Sequence, residues 1–497
     1  MKDNKRILLI QPRTGSWDTM SIRFPESLLA VAAVPCANGY KIDLLDQRLD
    51  KKWKTKLTEF LAKNPILVGL TSMTGEQIGH MIDIINFIKT VSSVPIVFGG
   101  IHAILLPKQS CEHPNIDIVC EGEGDFTLYE IAESLREKKS LHNVKGIYFK
   151  EDGEIVYTGK RDIINDIDIL PMPPYEILSV DRYRTFEIGE GGSATVFTSV
   201  GCPFKCKFCA APVLRPKWRS FSVERVMDNI HFLQKEYNIA NIYFQDDNIA
   251  GSLTRFRKLI NKMANMDKKV KWGAMGIRAD AICKLTKEDF SILLQSGCHD
   301  LDVGVETGSR RINNFVNKGE SLDHIVEANN KLASYPIKVK YTFMIGFPTE
   351  TEKDVKESID FATSLCEKNK NAYVLFFIFV PVKGTEFYNL ALKYGFKEPE
   401  SLEDWQHLQY EKWHEKYPSW LNDKEIKKCR AVSLVSYFAN DNVKYKFTSL
   451  PLKMIFTLYN PIAKIRFRKQ FFLFFIESYV YEFVFKIKSF IEKKLYW

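Results

Sequence analysis

Thr195-Val196-Phe197-Thr198-Ser199-Val200 runs directly into Gly201-Cys202-Pro203-Phe204-Lys205-Cys206-Lys207-Phe208-Cys209. The first six residues are mostly β-branched or aromatic and read as a strand, and Gly201 and Pro203 make the next stretch a loop. That loop brings three cysteines at spacings of four and three. Three thiolates so placed can converge on one metal centre, and on a four-iron cluster they leave one iron open to another ligand. A zinc site is the alternative. It would show a second Cys/His pair nearby, whereas the next cysteine is Cys283.

Further strands follow at Ala240–Phe244, Val270–Met275, Leu301–Val305, Val339–Ile345 and Val374–Val380, with helical segments such as Ser222–Tyr237, Ser252–Met263 and Glu352–Cys366 between them. Six strand–helix units read as a full or partial parallel (β/α) barrel, whose active site gathers at the C-terminal ends of its strands. Upstream, short apolar strands at Ile7–Ile10, Lys41–Leu45, Ile66–Leu70, Pro95–Phe98 and Asp117–Cys120 alternate with helical stretches at Ser27–Ala37, Gly79–Val91 and Thr127–Leu135. This α/β alternation predicts a doubly wound parallel sheet with its ligand beyond the strand ends. The ends carry Gln11-Pro12-Arg13, Asp46, Thr71-Ser72, Gly99-Gly100 and Glu121-Gly122-Glu123-Gly124. The organisation expected is an α/β domain over 1–142, a connector over 143–193 with a hairpin (Gly146–Phe149, Ile155–Thr158), the barrel over 194–395 and a helical region over 396–497.

Composition narrows the function classes. The 497 residues are 45% hydrophobic and 26% charged, which excludes disorder and low complexity. Ten cysteines are too few for a disulfide scaffold. The start, Met1-Lys2-Asp3-Asn4-Lys5-Arg6, runs into a strand without the apolar stretch of a secretory signal, so the expected compartment is cytoplasmic and reducing. The net charge of +9 is small, and +6 of it lies in Leu450–Trp497, which also hold 14 aromatic residues. No nucleic-acid partner is expected from so thin a basic excess.

The spacing Cys202-x3-Cys206-x2-Cys209, with Phe208 before the last cysteine, resembles the signature of the radical S-adenosylmethionine (SAM) superfamily. There the cluster's open iron is chelated by SAM, and the reduced cluster cleaves the sulfonium to a 5′-deoxyadenosyl radical. Further segments resemble the family in order. Phe244-Gln245-Asp246-Asp247-Asn248 stands where polar contacts to the SAM amino group lie, without the frequent Gly-Gly-Glu form. Arg278 stands as a carboxylate contact, and Gly304-Val305-Glu306-Thr307-Gly308-Ser309 as the ribose segment. Gly346-Phe347-Pro348 stands along the adenine. The resemblance covers about Thr195–Glu386 and implies that Cys202, Cys206 and Cys209 hold the cluster. It implies SAM contacts from Asp246, Asp247, Arg278, Glu306, Ser309, Gly346 and Pro348.

The first 140 residues resemble the cobalamin-binding domain found upstream of many such barrels, through Asp46, Thr71-Ser72, Gly99-Gly100-Ile101-His102 and Glu121-Gly122-Glu123-Gly124. The cobalt-ligating Asp-x-His-x-x-Gly motif is absent, because the chain reads Asp46-Gln47-Arg48-Leu49-Asp50-Lys51. His102 is read as packing near the corrin or the sheet edge. The two resemblances together imply a four-iron four-sulfur cluster, SAM and cobalamin. They imply methylation of an unreactive carbon of a small or lipophilic metabolite, with electrons from an external donor such as flavodoxin or ferredoxin. A cobalamin-dependent oxidative cyclase and a non-catalytic cobalamin-binding regulatory module are the alternatives. Between Phe471 and Lys494, Ser478, Glu482, Lys486, Ser489 and Lys493 draw one polar stripe on an otherwise apolar helix. Such a helix packs on the barrel or lies peripherally on a membrane.

Overall fold

Strands buried on both faces must be apolar throughout, which is why a parallel sheet covered by helices reads as short hydrophobic runs. In the computed structural model, which describes residues 4–15, 18, 22–183, 192–408, 420–441, 450–472 and 479, those runs become β1 (Arg6–Gln11), β2 (Lys41–Asp46), β3 (Leu67–Thr71), β4 (Ile96–Gly99) and β5 (Ile118–Cys120). They pair in parallel in the order β2-β1-β3-β4-β5, with Ile7 between Ile42 and Leu67. The chain departs to opposite sides of β1 to form β2 and then β3, so the topological switch point lies between β1 and β3. Helices Glu26–Ala37 and Asp125–Glu137 cover one face, where Leu28, Ala32, Leu128, Ile131 and Ala132 join Ile7, Leu9, Leu67 and Val97 in one core.

The hairpin inside the expected connector is part of this sheet. Its strands β6 (Ile147–Glu151) and β7 (Glu154–Tyr157) add two antiparallel strands beyond β5, and Ile147 and Phe149 enter the same core. Tyr175 and Tyr183 downstream are buried with it, Phe24 packing against both rings. The chain divides into two units: Met1–Arg184 with Glu398–Gln409, and Thr185–Lys397 with Tyr410–Leu495. Apolar burial continues through the hairpin, and the stretch after 397 returns to the first unit. There Trp405 is fully buried. Its indole N–H donates to Gln109 Oε1 at 2.7 Å, and Gln109 Nε2 donates to the Glu400 carbonyl at 2.9 Å.

The second unit holds β8 (Gly192–Val196), β11 (Ile239–Phe244), β12 (Lys271–Ala274), β13 (Cys298–Glu306), β14 (Lys338–Ile345) and β15 (Ala372–Ile378), all parallel and in chain order. β8 and β15 are the edges of this sheet and are not paired with each other, so the barrel is partial. The strand expected over Thr195–Val200 is split. Its first part is β8, whereas β9 (Ser199–Val200) turns away to pair with β10 (Arg219–Ser220). The buried Asp246 causes the turn by accepting the Thr198 N–H (3.1 Å), the Thr198 hydroxyl (2.8 Å) and the Ser199 hydroxyl. Helix Asp423–Phe438 packs on β15, and helix Leu450–Arg468 packs on that helix. Nearly all of the striped tail lies outside the described residues. No helix among the described residues is long and apolar enough to cross a membrane.

Candidate functional site

The cysteine loop begins at Gly201, whose φ of +81° suits glycine and whose missing side chain is required. A Cβ there would stand 2.9 Å from the Arg215 and Lys217 carbonyls. Backbone bonds pin the loop: Lys207 N–H to the Val316 carbonyl (3.1 Å), Phe387 N–H to the Lys207 carbonyl (3.2 Å) and Cys209 N–H to the Cys206 carbonyl (3.1 Å). Phe208 packs against a cluster of Ile312, Val316, Phe347, Phe379 and Phe387. Burial pushes all three thiols up, Cys209 to about 12. Thiolate ligation therefore needs a compensating positive centre. The three sulfurs lie near enough to feel one another's charge. Among the described residues no three His, Cys, Asp or Glu are placed to share a single ion.

Charged groups from three strand ends face this loop. Asp247, Arg278 and Lys318 act on Cys202, and Lys318, Arg278 and Glu306 on Cys206. Arg278 follows β12, with its guanidinium 3.7 Å from the centre of the Phe204 ring. Its Nε donates to Asp280 at 2.9 Å and its Nη1 to the Lys318 carbonyl at 3.0 Å. Nη2 is buried and finds no hydrogen-bond partner among the described residues. Glu306 ends β13 on a bulge, at φ +70°, a left-handed conformation that side-chain-bearing residues seldom adopt. Lys318 Nζ, fully buried, holds it at 3.2 Å, stands 3.4 Å from Glu320 and donates to the Gly304 carbonyl. Burial alone would lower the lysine's pKa, but Glu306 and Glu320 raise it, so it stays charged. Nothing in the spacing of Asn317-Lys318-Gly319-Glu320 marks Lys318 as part of a site.

Asp246, Ser309, Gly346 and Pro348, also singled out in the second unit, act behind this surface. Asp246 is committed to Thr198 and Ser199, so it anchors the strand that feeds the cysteine loop. Ser309 gives its hydroxyl to Asp354 Oδ1 (2.6 Å). Gly346, at φ +85°, offers its N–H to Glu350 and takes the Trp420 indole N–H on its carbonyl at 3.0 Å. Pro348 is buried in the same turn. Asp247 meets Arg215 at 3.4 Å.

In the first unit most of the polar candidates are turned onto their own chain. Asp46 accepts Arg48 Nε (2.9 Å) and Nη2 (2.6 Å) and the Tyr183 hydroxyl (3.0 Å). Ser72 donates to the Met73 carbonyl at 2.7 Å, and Glu121 accepts the Tyr157 hydroxyl. His102 is fully buried between Phe98 and the edge of Trp405. Its Nδ1 meets the Thr74 hydroxyl at 3.0 Å, and burial lowers its pKa to about 3, so it is neutral. Thr71 Oγ1 would lie 2.3 Å from a Cβ at Gly100, so Gly100 serves a close approach of β4 to β3. At the switch point the buried Gln77, which no motif marks, donates to the Pro12 carbonyl (3.1 Å) and accepts the Met73 N–H (2.8 Å).

Residues 196–362 match the model of the radical SAM superfamily, and residues 24–132 match that of the B12 binding domain. The chain carries a radical SAM domain and, upstream of it, a B12-binding domain. The uncharacterized methyltransferase PH0819 of Pyrococcus horikoshii is 28% identical over 393 residues, 78% of this chain and 83% of that one. The cytidylyl-2-hydroxyethylphosphonate methyltransferase of Streptomyces wedmorensis is 24% identical over 454 residues, 80% and 83% of the two chains. Among solved structures, the radical SAM methyltransferase TsrM of Kitasatospora setae, with cobalamin and a [4Fe-4S] cluster bound, superposes with a TM-score of 0.66 at 17% identity. That match covers 82% of this chain and 81% of the other, and it shows a shared fold.

The residues present fit the groups that radical SAM and B12-binding domains use. Cys202, Cys206 and Cys209 supply thiolates on a pinned loop. The orphaned Arg278 Nη2 beside them is a buried cationic donor still to be satisfied, as a carboxylate would satisfy it. In the B12-binding domain the strand ends leave room. A Cβ at Gly99 would come no nearer than 3.9 Å to another residue's atom, that of Cys120, and one at Gly122 would meet nothing within 4 Å.

Proposed function

We propose that the protein is a cobalamin-dependent radical SAM enzyme that methylates an unreactive carbon of a small or lipophilic substrate. The observation that carries the reading is the unsatisfied, buried Arg278 Nη2 next to the three-cysteine loop, in a chain that also has a B12-binding domain. When bound, the cluster and SAM supply hydrogen-atom abstraction, and methylcobalamin supplies the methyl group.

The chain's own residues bind and orient. Cys202, Cys206 and Cys209 hold the cluster and leave an iron free for SAM. Arg278 takes the SAM carboxylate through Nη2, while Asp280 and the Lys318 carbonyl fix the plane of its guanidinium. Asp247 and Glu306 present carboxylates to the amino group and ribose hydroxyls, with Lys318 fixing Glu306. Asp246, Ser309, Gly346 and Pro348 set the backbone from which those contacts are made. Thr71, Gly99 and Gly122 would border the corrinoid, and Asp46 and His102 would support that strand-end surface from within the domain. Electrons come from a low-potential protein donor of the flavodoxin or ferredoxin kind, in a reducing cytoplasm where thiols persist.

Anaerobic reconstitution with iron, sulfide and cobalamin tests the reading. About four irons per chain with a stoichiometric corrinoid band support it. S-adenosylhomocysteine and 5′-deoxyadenosine should then form in equal amounts with a methylated product. Deoxyadenosine without S-adenosylhomocysteine would instead identify a cyclase-type oxidation, and corrinoid without iron a binding module.

A further inference from the structure

Helix Leu450–Arg468 uses three faces differently. One is packed: Phe456 and Tyr459 meet Phe438, Phe467 meets Phe376, and Asn460 Nδ2 donates to the Phe438 carbonyl at 2.8 Å. At about 100° per residue, Met454, Leu458, Ile462 and Ile465 fall within roughly 80° of arc on another face. They are 57%, 74%, 52% and 63% exposed. Lys453, Lys464 and Arg468 share a third sector of about 60° alongside that arc.

We propose that this face docks the protein on the surface of an anionic lipid bilayer. The apolar stripe is the part that enters the headgroup–acyl boundary, and the basic stripe beside it meets the headgroups. Residues 450–472 hold five Lys or Arg and no Asp or Glu. Lys464 is answered by Asp441 at 2.7 Å and the buried Arg466 donates to the Phe471 carbonyl and the Tyr459 hydroxyl, which leaves Lys453, Arg468 and Lys469 as the remaining cations of the segment. A second copy would bring the same cations and no acid from this segment to meet them, whereas anionic lipid complements them. Pro461 and the cations keep the helix from spanning, in line with the absence of a spanning helix among the described residues. The surface goes beyond the cofactor reading and is independent of it, since neither SAM nor cobalamin is needed for it to form.

The test is co-sedimentation of the full chain with vesicles of phosphatidylcholine alone, or of phosphatidylcholine with phosphatidylglycerol. Binding is expected to the anionic vesicles and to weaken with salt. Each basic residue near such a surface is worth about five-fold in partitioning, so Lys453→Glu with Arg468→Glu should lower binding by at least about 25-fold. Leu458→Glu with Ile465→Glu should abolish it. All four side chains are exposed, so the melting temperature should stay unchanged. Binding to neither vesicle, or binding that the variants leave intact, overturns the proposal. So does a dimer that Leu458→Glu dissolves, which would make a second copy the occupant. A lowered melting temperature in Leu458→Glu without vesicle binding would assign the face to another stretch of this chain.

Discussion

Glu350→Gln should make the protein more stable than the wild type, and increasingly so as pH rises. The carboxyl end of the partly exposed Glu350 is buried behind Gly346 and Phe347, whose N–H groups its Oε2 accepts, while Oε1 has no hydrogen-bond partner among the described residues. Burial raises its pKa from 4.5 to about 8, against the lowering effect of those two bonds. Below pH 4.5 both folded and unfolded chains keep the proton. Between about 4.5 and 8 the folded chain keeps a proton that the unfolded chain releases, so stability falls with rising pH, by about 1.4 kcal/mol per pH unit. The ceiling is about 5 kcal/mol by pH 8. Glutamine keeps an oxygen for the two N–H groups and has no proton to lose. Thermal unfolding of the apoprotein between pH 5 and 8.5 reads the difference, at about 2–4 °C per kcal/mol for a unit of this size. The curves should start close together at pH 5 and separate by several degrees at pH 8, with the glutamine variant above. Parallel curves, or a gap that closes as pH rises, would show that Glu350 is ionised in the folded protein and refute the reasoning.

Arg278→Lys should leave the iron content of reconstituted protein unchanged while weakening SAM binding about 10–100-fold in equilibrium dialysis, because one charge-assisted hydrogen bond is worth about 1.5–3 kcal/mol. Lys318→Met strands Glu306 and Glu320 without their buried cation and should cost about 3–5 kcal/mol in denaturant unfolding. Lys318→Arg should recover most of that loss and part of the SAM affinity, and equal losses in both variants would point to packing rather than charge. Trp405→Phe removes the N–H that Gln109 accepts and should cost about 1 kcal/mol, read as a melting shift confined to the first unit.

The strands of both sheets are legible to within a few residues because burial on two faces demands unbroken apolar runs such as Ile7–Ile10 and Val374–Val380. Their membership is less so. Nothing within Ile147–Tyr157 says which sheet edge a hairpin will join, and only the fit of Ile147 and Phe149 into the first core decides it. The cysteine loop is legible because ligand spacing is local. Arg278 and Glu306 are reachable through their place at strand ends, but Lys318 is not. Its position depends on a turn that closes onto a strand end 12 residues earlier. Asp246 shows the opposite limit. An acid at a strand end has the same spelling whether it faces a ligand or, as here, holds the preceding strand's backbone.

The return of Glu398–Gln409 to the first unit gives that unit a dependence on the order of synthesis. Its sheet is complete once residue 157 has been made, but the tryptophan that seals His102 is number 405. At about 5–20 residues per second the ribosome needs roughly 10–50 s to cover that interval. During it the nascent B12-binding domain lacks the indole that covers His102, just past the C-terminal end of its fourth strand. A chain cut after the first sheet would leave His102 without that cover permanently. Excising the domain intact therefore requires carrying the 398–409 segment with it.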